Sequence, residues 1–336
     1  MNITFLPCIN RMLSLCVFAG LFAESAHSAP TPQGFQWVDK PGEYRELRDS
    51  DKPVLRYMYH AYDESTPEAR EESYKPYHHV FSPDGSTLLT KGPGGLFPHH
   101  RGLFYGFNKV AYGDGRKCDT WHCPDHACQT HEEFLEEEAG DDSARHKIVV
   151  NWHGQEGEVF AREEREIAVE RRDGGLLIDF RSHLEPVDVE AIHLDGDPQH
   201  AGFQFRAAQE VAADTAKQTY YLRTDGKGDL GETRNWNHQN QDDPTNSECA
   251  NRSWNAMSFV VDGKRYTALY LDHPANPKPS RYSERDYGRF GSYFVADVTN
   301  NKPLDVQYRV WVQDGEMTVE DCEKLSSEFV GKADGE

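Results

Sequence analysis

Apolar and polar residues alternate with a period of two over several segments of the chain. The segment 176–184 (LLIDFRSHL) places Leu, Ile, Phe and Leu on one face and Asp, Arg and His on the other. The segment 304–312 (LDVQYRVWV) alternates in the same way, with three valines and a tyrosine on the inward face. This pattern predicts strands that bury one face in a core, as strands of antiparallel sheets do.

Two Asp-Gly pairs mark turns between predicted strands. The pair 173–174 follows the alternating run 159–169, and the pair 262–263 separates two further strand-like runs. We expect type I′ hairpins at both, because Asp and Gly tolerate the positive φ angles of that turn. There is no βαβ alternation and no internal repeat. The order of elements therefore predicts an all-β fold, a large antiparallel β-sandwich with few short helices.

Helical patterns are few. The segment that starts at Thr318 (TVEDCEKLSSEFVG) predicts a C-terminal amphipathic helix, with Asp321 in a capping box and Gly331 after its end. Two shorter candidates are 67–73 and 132–138.

The N-terminus has the features of a secretory signal. Arg11 precedes an apolar run, 12–23, and small residues follow it. We expect residues 1–28 to be removed, which leaves a single domain over 29–336 in a secreted or periplasmic protein. The apolar run is shorter than the roughly 20 residues that span a bilayer, so no membrane span is predicted.

The charge balance excludes some partners. The formal net charge is −21 and only 37% of residues are hydrophobic, yet the chain holds 17 Phe, 16 Tyr and 6 Trp, which are sufficient to build a core. An acidic surface repels nucleic acid and anionic lipid, so neither is expected as a partner. A polyanionic substrate is disfavoured as well, unless a local basic pocket receives it.

Cysteines form the next group of candidates. Five follow the signal, and in an oxidising compartment they favour disulfides with one thiol left over. The stretch 118–131 also interleaves cysteine with His122, His126 and His131, which leaves structural zinc and free thiols as alternatives. The spacing matches no standard zinc motif, and we expect neither a metal nor a cofactor. The five cysteines are Cys118, Cys123, Cys128, Cys249 and Cys322.

The segment 92–108 (GPGGLFPHHRGLFYGFN) is the first stretch that carries chemistry. Its glycines and prolines predict a loop that presents His99 and His100 before a strand. Imidazole is an acid or base near neutral pH, and Arg101 is suited to holding oxyanions or hydroxyls. The alternative is a pair of surface or core-capping histidines.

Two later stretches carry similar groups. His200 precedes the strand-like run 203–207, where a structural role is the alternative. The loop 271–294 combines stiff prolines with polar, charged and aromatic residues of the kind that bind sugar hydroxyls. A braced surface loop is the other reading.

Six motifs of the chain resemble, in the same order, those of secreted bacterial proteins labelled "PmoA family" or "methane oxygenase". They are KPYHHVFSPDG, FPHHRGLFYGF, DTWH, GFQFR, LDHPANP and RDYGRF. That family is abundant in planctomycetes and carries a domain of unknown function. The resemblance runs from about Tyr74 to Val312. A membrane methane monooxygenase spans the bilayer several times, so the label does not predict alkane oxidation here. Family members often carry an acidic residue and glycines where this chain has His200-Ala201-Gly202.

The order of candidate residues is also similar in outline to aldose epimerases of the mutarotase type, which are antiparallel supersandwiches. In that resemblance an early loop supplies His100, a mid-chain strand His200, and a late loop the residues 272–287. It implies a supersandwich with a sugar-binding cleft.

These features together predict a carbohydrate-active enzyme of the epimerase, lyase or hydrolase type, with a sugar or glycan as its partner. The expected catalytic residues are His100, His200 and His273, which must meet in one pocket. A non-catalytic glycan-binding module and a metal-dependent enzyme are the alternatives. The expected substrate-binding residues are His99, Arg101, Trp121, His122, Asp272, Asn276, Arg285 and Tyr287.

Overall fold

Strands are the main regular element of the described chain. A computed structural model describes residues 1–2 and 34–331, so the predicted signal lies almost wholly outside the described residues. The strands are β1 Phe35–Lys40, β2 Tyr44–Asp49, β3 Lys52–Met58, β4 Tyr77–Val80, β5 Leu103–Phe107, β6 Lys109–Tyr112, β7 Arg116–Cys118, β8 Cys128–Ala139, β9 Ser143–His153, β10 Val159–Arg172, β11 Gly175–Pro186, β12 Ala191–Asp195, β13 Ala201–Arg206, β14 Tyr220–Arg223, β15 Gly226–Lys227, β16 Trp254–Val261, β17 Lys264–Asp272, β18 Arg281–Arg285, β19 Arg289–Tyr293, β20 Ala296–Thr299 and β21 Leu304–Asp314.

Helices are short and lie between or after the strands. The α-helices are α1 Pro67–Ser73 and α2 Val319–Gly331. A π-helical turn covers Val211–Thr215, and 3₁₀ turns cover Ala216–Gln218 and Pro244–Cys249. No helix in the described part of the chain has the length and apolarity to cross a bilayer.

Within residues 34–331, three sheets contain all the strands, and every pairing between them is antiparallel. The first sheet has the order β1-β2-β3-β4-β5-β13-β19-β18, and the second has the order β15-β14-β16-β17-β21-β11-β10-β9-β8. A third, smaller sheet has the order β20-β12-β6-β7. The prediction of an all-β antiparallel sandwich with few short helices is confirmed.

The core lies between the first two sheets. Phe203 of β13 stacks on Phe180 of β11 with ring centroids 4.3 Å apart, and Tyr105 of β5 meets Trp152 of β9 at 5.9 Å. These aromatic side chains are almost completely buried. Aromatic rings remove a large apolar area from water, which is how a chain of low mean hydropathy builds a sandwich core.

Most local predictions are confirmed. The alternating segments lie in β11 and β21, which pair with each other, and 67–73 is α1. Helix α2 has the predicted capping box, because Asp321 N donates to Thr318 Oγ1 and Thr318 N donates to the Asp321 carboxylate, each at 3.1 Å. Its last described residue is Gly331, which lies inside the helix rather than after it.

The two Asp-Gly turns differ. Both Asp262 and Gly263 have positive φ, as a type I′ turn requires, and they connect β16 to β17. At 173–174 only Gly174 has positive φ, so the hairpin is present but the type I′ prediction is wrong there.

The predicted helix 132–138 is wrong, because these residues belong to the edge strand β8. Glu and Leu favour a helix locally, but pairing with β9 overrides that preference, with irregular register at His131/Glu133 and Phe134/Glu136. A row of exposed glutamates on an edge strand also discourages pairing with another chain.

The expected disulfides are absent from the described residues, where all five cysteines are buried free thiols. Cys123 and Cys128 pack with Tyr74 in one small apolar cluster, and Cys118 belongs to the main core. Each thiol acts as a small apolar side chain. Burial raises the pKa of Cys123 to about 11, which keeps the thiol protonated.

Candidate functional site

The site is built on the outer face of the first sheet. Phe203 and Phe205 of β13 point into the core, so Gly202, Gln204 and Arg206 lie on the opposite face, and His200 immediately precedes the strand. Gly202 has a φ of +79°, and a Cβ there would lie 2.0 Å from the carbonyl oxygen of Ser292. Only glycine therefore permits the close approach of β19 at this point.

Four imidazoles meet beside this strand and are called the histidine cluster: His99, His100, His122 and His200. His99 and His100 come from the loop before β5, and His122 from the turn after β7. The ring centroids of His122 and His200 are 4.5 Å apart, those of His99 and His122 are 4.6 Å apart, and those of His100 and His200 are 5.7 Å apart. Of the histidines predicted to converge, His100 and His200 therefore meet in the structure, together with His99 and His122, whereas His273 does not join them.

Carboxylates orient two of these rings. His122 Nδ1 lies 2.7 Å from Asp119 Oδ2, and His200 Nδ1 lies 3.0 Å from Asp197 Oδ1. Asp197 is itself held by Asn108 Nδ2, 2.6 Å from its other oxygen. A carboxylate on Nδ1 fixes the tautomer and leaves Nε2 to exchange a proton or bind a metal.

His99 completes a group of three nitrogens. One ring nitrogen each of His99, His122 and His200 lies within 4.8 Å of the other two. Burial, with further contributions from His122 and from Lys75, lowers the pKa of His99 to about 3, so the ring is neutral. A neutral imidazole is the form that accepts a proton or ligates a metal ion.

His100 is the most enclosed ring of the cluster. It is 2% exposed, and neither ring nitrogen has a hydrogen-bond partner among the described residues. Burial, and then the positive charges of Arg289 and Arg206, hold its pKa well below the ordinary value. Two unpartnered nitrogens in a buried ring indicate a place for a ligand atom.

A polar cleft of about 520 Å³ opens beside His200. Its lining includes Asp197, His200, Asn235, Trp236 and Arg285. A small number of polar groups around an aromatic side chain is suited to a hydroxyl-rich ligand.

Three of the other predicted residues lie at the site. Trp121 is buried, with its ring centroid 6.2 Å from that of His100 and 6.1 Å from that of His200. Tyr287 lies 6.5 Å from His100 by the same measure. Arg285 lines the cleft and donates to Asn235 Oδ1.

Arg101 is close in sequence but turned away. Its guanidinium is buried, donates to the carbonyl oxygens of Pro98, His100 and Glu71, and lies over the Tyr74 ring. It braces the loop that carries the histidines, which differs from the predicted contact with substrate.

His273 is not in the histidine cluster, and the prediction that it meets His200 is wrong. Its ring packs 5.2 Å from that of Phe329 in α2, on the face of the second sheet turned away from the core. Asp272 forms an ion pair with Lys278 at 2.7 Å. Asn276 Nδ2 donates to the carbonyl oxygen of Gln307, and Asn276 Oδ1 accepts from the backbone N–H of the same residue. This loop braces the ends of β17 and β21 rather than the cleft.

The sequence prediction missed residues that the site uses. Asp119 and Asp197 each stand three residues before a cluster histidine, so a repeated D-x-x-H spacing was the available signal. Lys75, buried without an ion pair in the described structure, donates to the carbonyl oxygens of His99 and Trp121. No short-range spacing connects Lys75 with those residues.

The sheet topology and the histidine cluster together define an antiparallel β-sandwich protein with a cluster of four histidines on the outer face of its first sheet. The chain belongs to the DUF6807 family, described as a family of unknown function, whose model matches residues 45–327. No curated protein shows significant sequence similarity to the chain.

Solved structures include distant likenesses. The galactosidase domain of an alpha-galactosidase–sucrose kinase is 9% identical, with a TM-score of 0.38 over 83% of this chain and 42% of that one. The chain thus spans less than half the length of that protein. A galactose mutarotase related enzyme from Lactobacillus acidophilus is 9% identical, with a TM-score of 0.32 over 84% and 98%. A galactose mutarotase-like protein from Clostridium acetobutylicum is 8% identical, with a TM-score of 0.33 over 82% and 94%.

Proposed function

We propose that the protein is an enzyme that acts on a sugar or glycan by acid–base chemistry at the histidine cluster. The observation that carries the proposal is that His122 and His200 lie side by side, each held at Nδ1 by a carboxylate, and that His200 lines a polar cleft. Epimerases, lyases and hydrolases of sugars all need one group that gives a proton and one that takes it.

The two rings suit these complementary roles. Asp197 and Asp119 stabilise a positive charge on the imidazole that accepts a proton, and both rings present Nε2 away from their carboxylate. The cleft on the His200 side supplies Asn235, Trp236 and Arg285 for hydroxyls and ring faces. His200 serves as the residue that contacts both the cleft and the other imidazoles.

We also propose that the protein is exported from the cell. The N-terminal signal and the likeness to secreted proteins labelled "PmoA family" support a secreted or periplasmic location, where oligosaccharides are available. The DUF6807 family has no established function, so the proposed reaction rests on the histidine cluster.

The test is turnover. Purified protein is incubated with a panel of neutral and acidic sugars and oligosaccharides, and anomeric exchange, epimerisation and bond cleavage are followed by NMR. His200→Gln is expected to lower kcat by at least about 100-fold, the contribution typical of one acid–base group. His193→Gln removes an exposed histidine of the third sheet and is expected to retain full activity. Sugar binding without any turnover would instead favour a glycan-binding module.

A metal-dependent enzyme is a second candidate, favoured by one observation. Three imidazole nitrogens within 4.8 Å, two with a carboxylate behind the ring, match the ligands and supporting groups of zinc sites. Metal analysis of protein purified without a histidine tag decides between the candidates. Bound metal near one equivalent, reduced by Asp197→Asn and by His99→Gln, would favour metal dependence. Full activity in the presence of chelator would favour metal-free catalysis.

A further inference from the structure

Three arginines form a row across neighbouring strands of the first sheet. Arg285 of β18 is the direct cross-strand partner of Arg289 in β19, and Arg289 is the direct partner of Arg206 in β13. Directly opposed residues in an antiparallel pair point to the same side, so the three side chains share the outer face. This is the face that carries the histidine cluster.

Two arginines of the row, Arg206 and Arg289, are buried and have no carboxylate partner in the described structure. Arg206 is 1% exposed and Arg289 is fully buried. Their hydrogen bonds go to backbone carbonyls, an amide oxygen and a hydroxyl, and neither forms an ion pair with a carboxylate anywhere in residues 34–331. Opposed like charges destabilise a sheet, and burying an unpaired charge is costly. An acidic chain with a net charge of −21 has many carboxylates, yet places none on this row.

Unsatisfied hydrogen-bonding atoms lie at the same place. Arg206 Nε and Nη2, Arg289 Nε and both nitrogens of His100 lack partners in the described structure. The Tyr287 ring covers the Arg206 guanidinium at 4.9 Å and stacks on Phe97, whose side chain is 38% exposed. Arg285 lines the open cleft, whereas Arg206 lies buried beneath the Tyr287 ring.

We propose that the arginine row and His100 bind an anionic oxygen group of the substrate, and that this group is the carboxylate of a uronic or aldonic acid. The planar guanidinium offers paired N–H donors that match the two oxygens of a carboxylate. A bound carboxylate would supply the missing counter-charge and accept from the unpartnered nitrogens. The proposal rests on the proposed function for the sugar itself and adds the chemical class of that sugar.

Binding is measured apart from turnover. Thermal unfolding of the full-length mature protein is followed with glucuronate, galacturonate and gluconate, and with glucose and galactose, at constant ionic strength. A ligand that binds the native state raises Tm, and at a given concentration a tighter ligand raises it more, because the stabilisation grows with the logarithm of one plus the ratio of ligand concentration to Kd. The acidic sugars are expected to raise Tm at concentrations where the neutral sugars do not. Titration calorimetry then gives the Kd of the strongest acidic ligand.

Variants assign the effect to the row. Two variants, Arg206→Gln at the buried end of the row and Arg285→Gln at its half-buried end, should each weaken the binding of acidic sugars by at least about tenfold. The second variant keeps the test valid if the first fails to fold. Arg181→Gln removes an exposed arginine of β11 and is expected to leave the Kd unchanged. His200→Gln should abolish turnover but retain acidic-sugar binding.

Three results would overturn the inference. These are equal stabilisation by acidic and neutral sugars, unchanged affinity in both arginine variants, and binding of sugar phosphates or sulfates without binding of uronates. Absence of turnover with arginine-dependent uronate binding would overturn the proposed function and leave the anion site standing. Turnover of neutral sugars alone would support the proposed function and overturn the anion site.

Discussion

Mild acid should destabilise the fold through a buried pair of histidines between the two main sheets. His78 of β4 and His146 of β9 are almost completely buried, and their Nε2 atoms lie 3.1 Å apart. Burial, and then the charge of Arg45, lowers the pKa of His146 to about 3. In the unfolded chain the same ring titrates near 6.5.

The sign and size follow from proton linkage. Below pH 6.5 the unfolded chain binds a proton that native His146 refuses until the pH is near 3, so stability falls as the pH drops through that window. For His146 alone the lost free energy of unfolding is about 2 kcal/mol at pH 5 and about 3 kcal/mol at pH 4. His78 has a pKa shifted in the same direction and adds to the loss.

Urea denaturation between pH 8 and pH 4 measures this loss. His146→Gln keeps a polar side chain but removes the titrating ring. Between pH 6 and 4, unfolding of this variant should therefore take up about one proton fewer than unfolding of the wild type, so its free energy of unfolding should depend less steeply on pH. His193→Gln controls for the loss of an exposed histidine as such. Parallel pH profiles for wild type and His146→Gln would refute the reasoning.

Three further changes test other parts of the fold. Glu284 is a fully buried carboxylate that accepts from Arg223 and Arg252, so Glu284→Gln should cost about 3–5 kcal/mol in urea denaturation; a loss under about 1 kcal/mol would contradict this. Gly202→Ala should lower Tm and disturb uronate binding, because its methyl group meets the β19 backbone; a wild-type Tm would show that the strands can separate without cost. The cysteines within 118–322 should all alkylate after unfolding without reductant, and mass spectrometry showing unmodified pairs would reveal disulfides.

Most predictions that depended on near neighbours in the chain are confirmed. The strands β11 and β21, the capping box of α2 and the Asp262-Gly263 turn each follow from residues within a few positions of one another. The same rule explains the failure at 132–138, where local preference favours a helix and pairing with β9 decides otherwise.

The candidate site was predicted in part. The loop before β5 and the start of β13 were identified as carriers of His100 and His200, because histidine beside glycine and proline is visible in the sequence. The inclusion of His273 was wrong, since a residue's place along the chain does not say on which face of a sheet it lies. The D-x-x-H spacing before His122 and His200 was present in the sequence and was overlooked.

The sequence by itself determined the class of fold, the sandwich-forming strands and the types of residue available for chemistry, because alternation, turns and caps are set by local geometry. Only the tertiary structure decided which imidazoles meet and that Arg285, Arg289 and Arg206 lie in one row. Register between antiparallel strands fixes such neighbours, and register depends on how the whole core packs rather than on spacing along the chain.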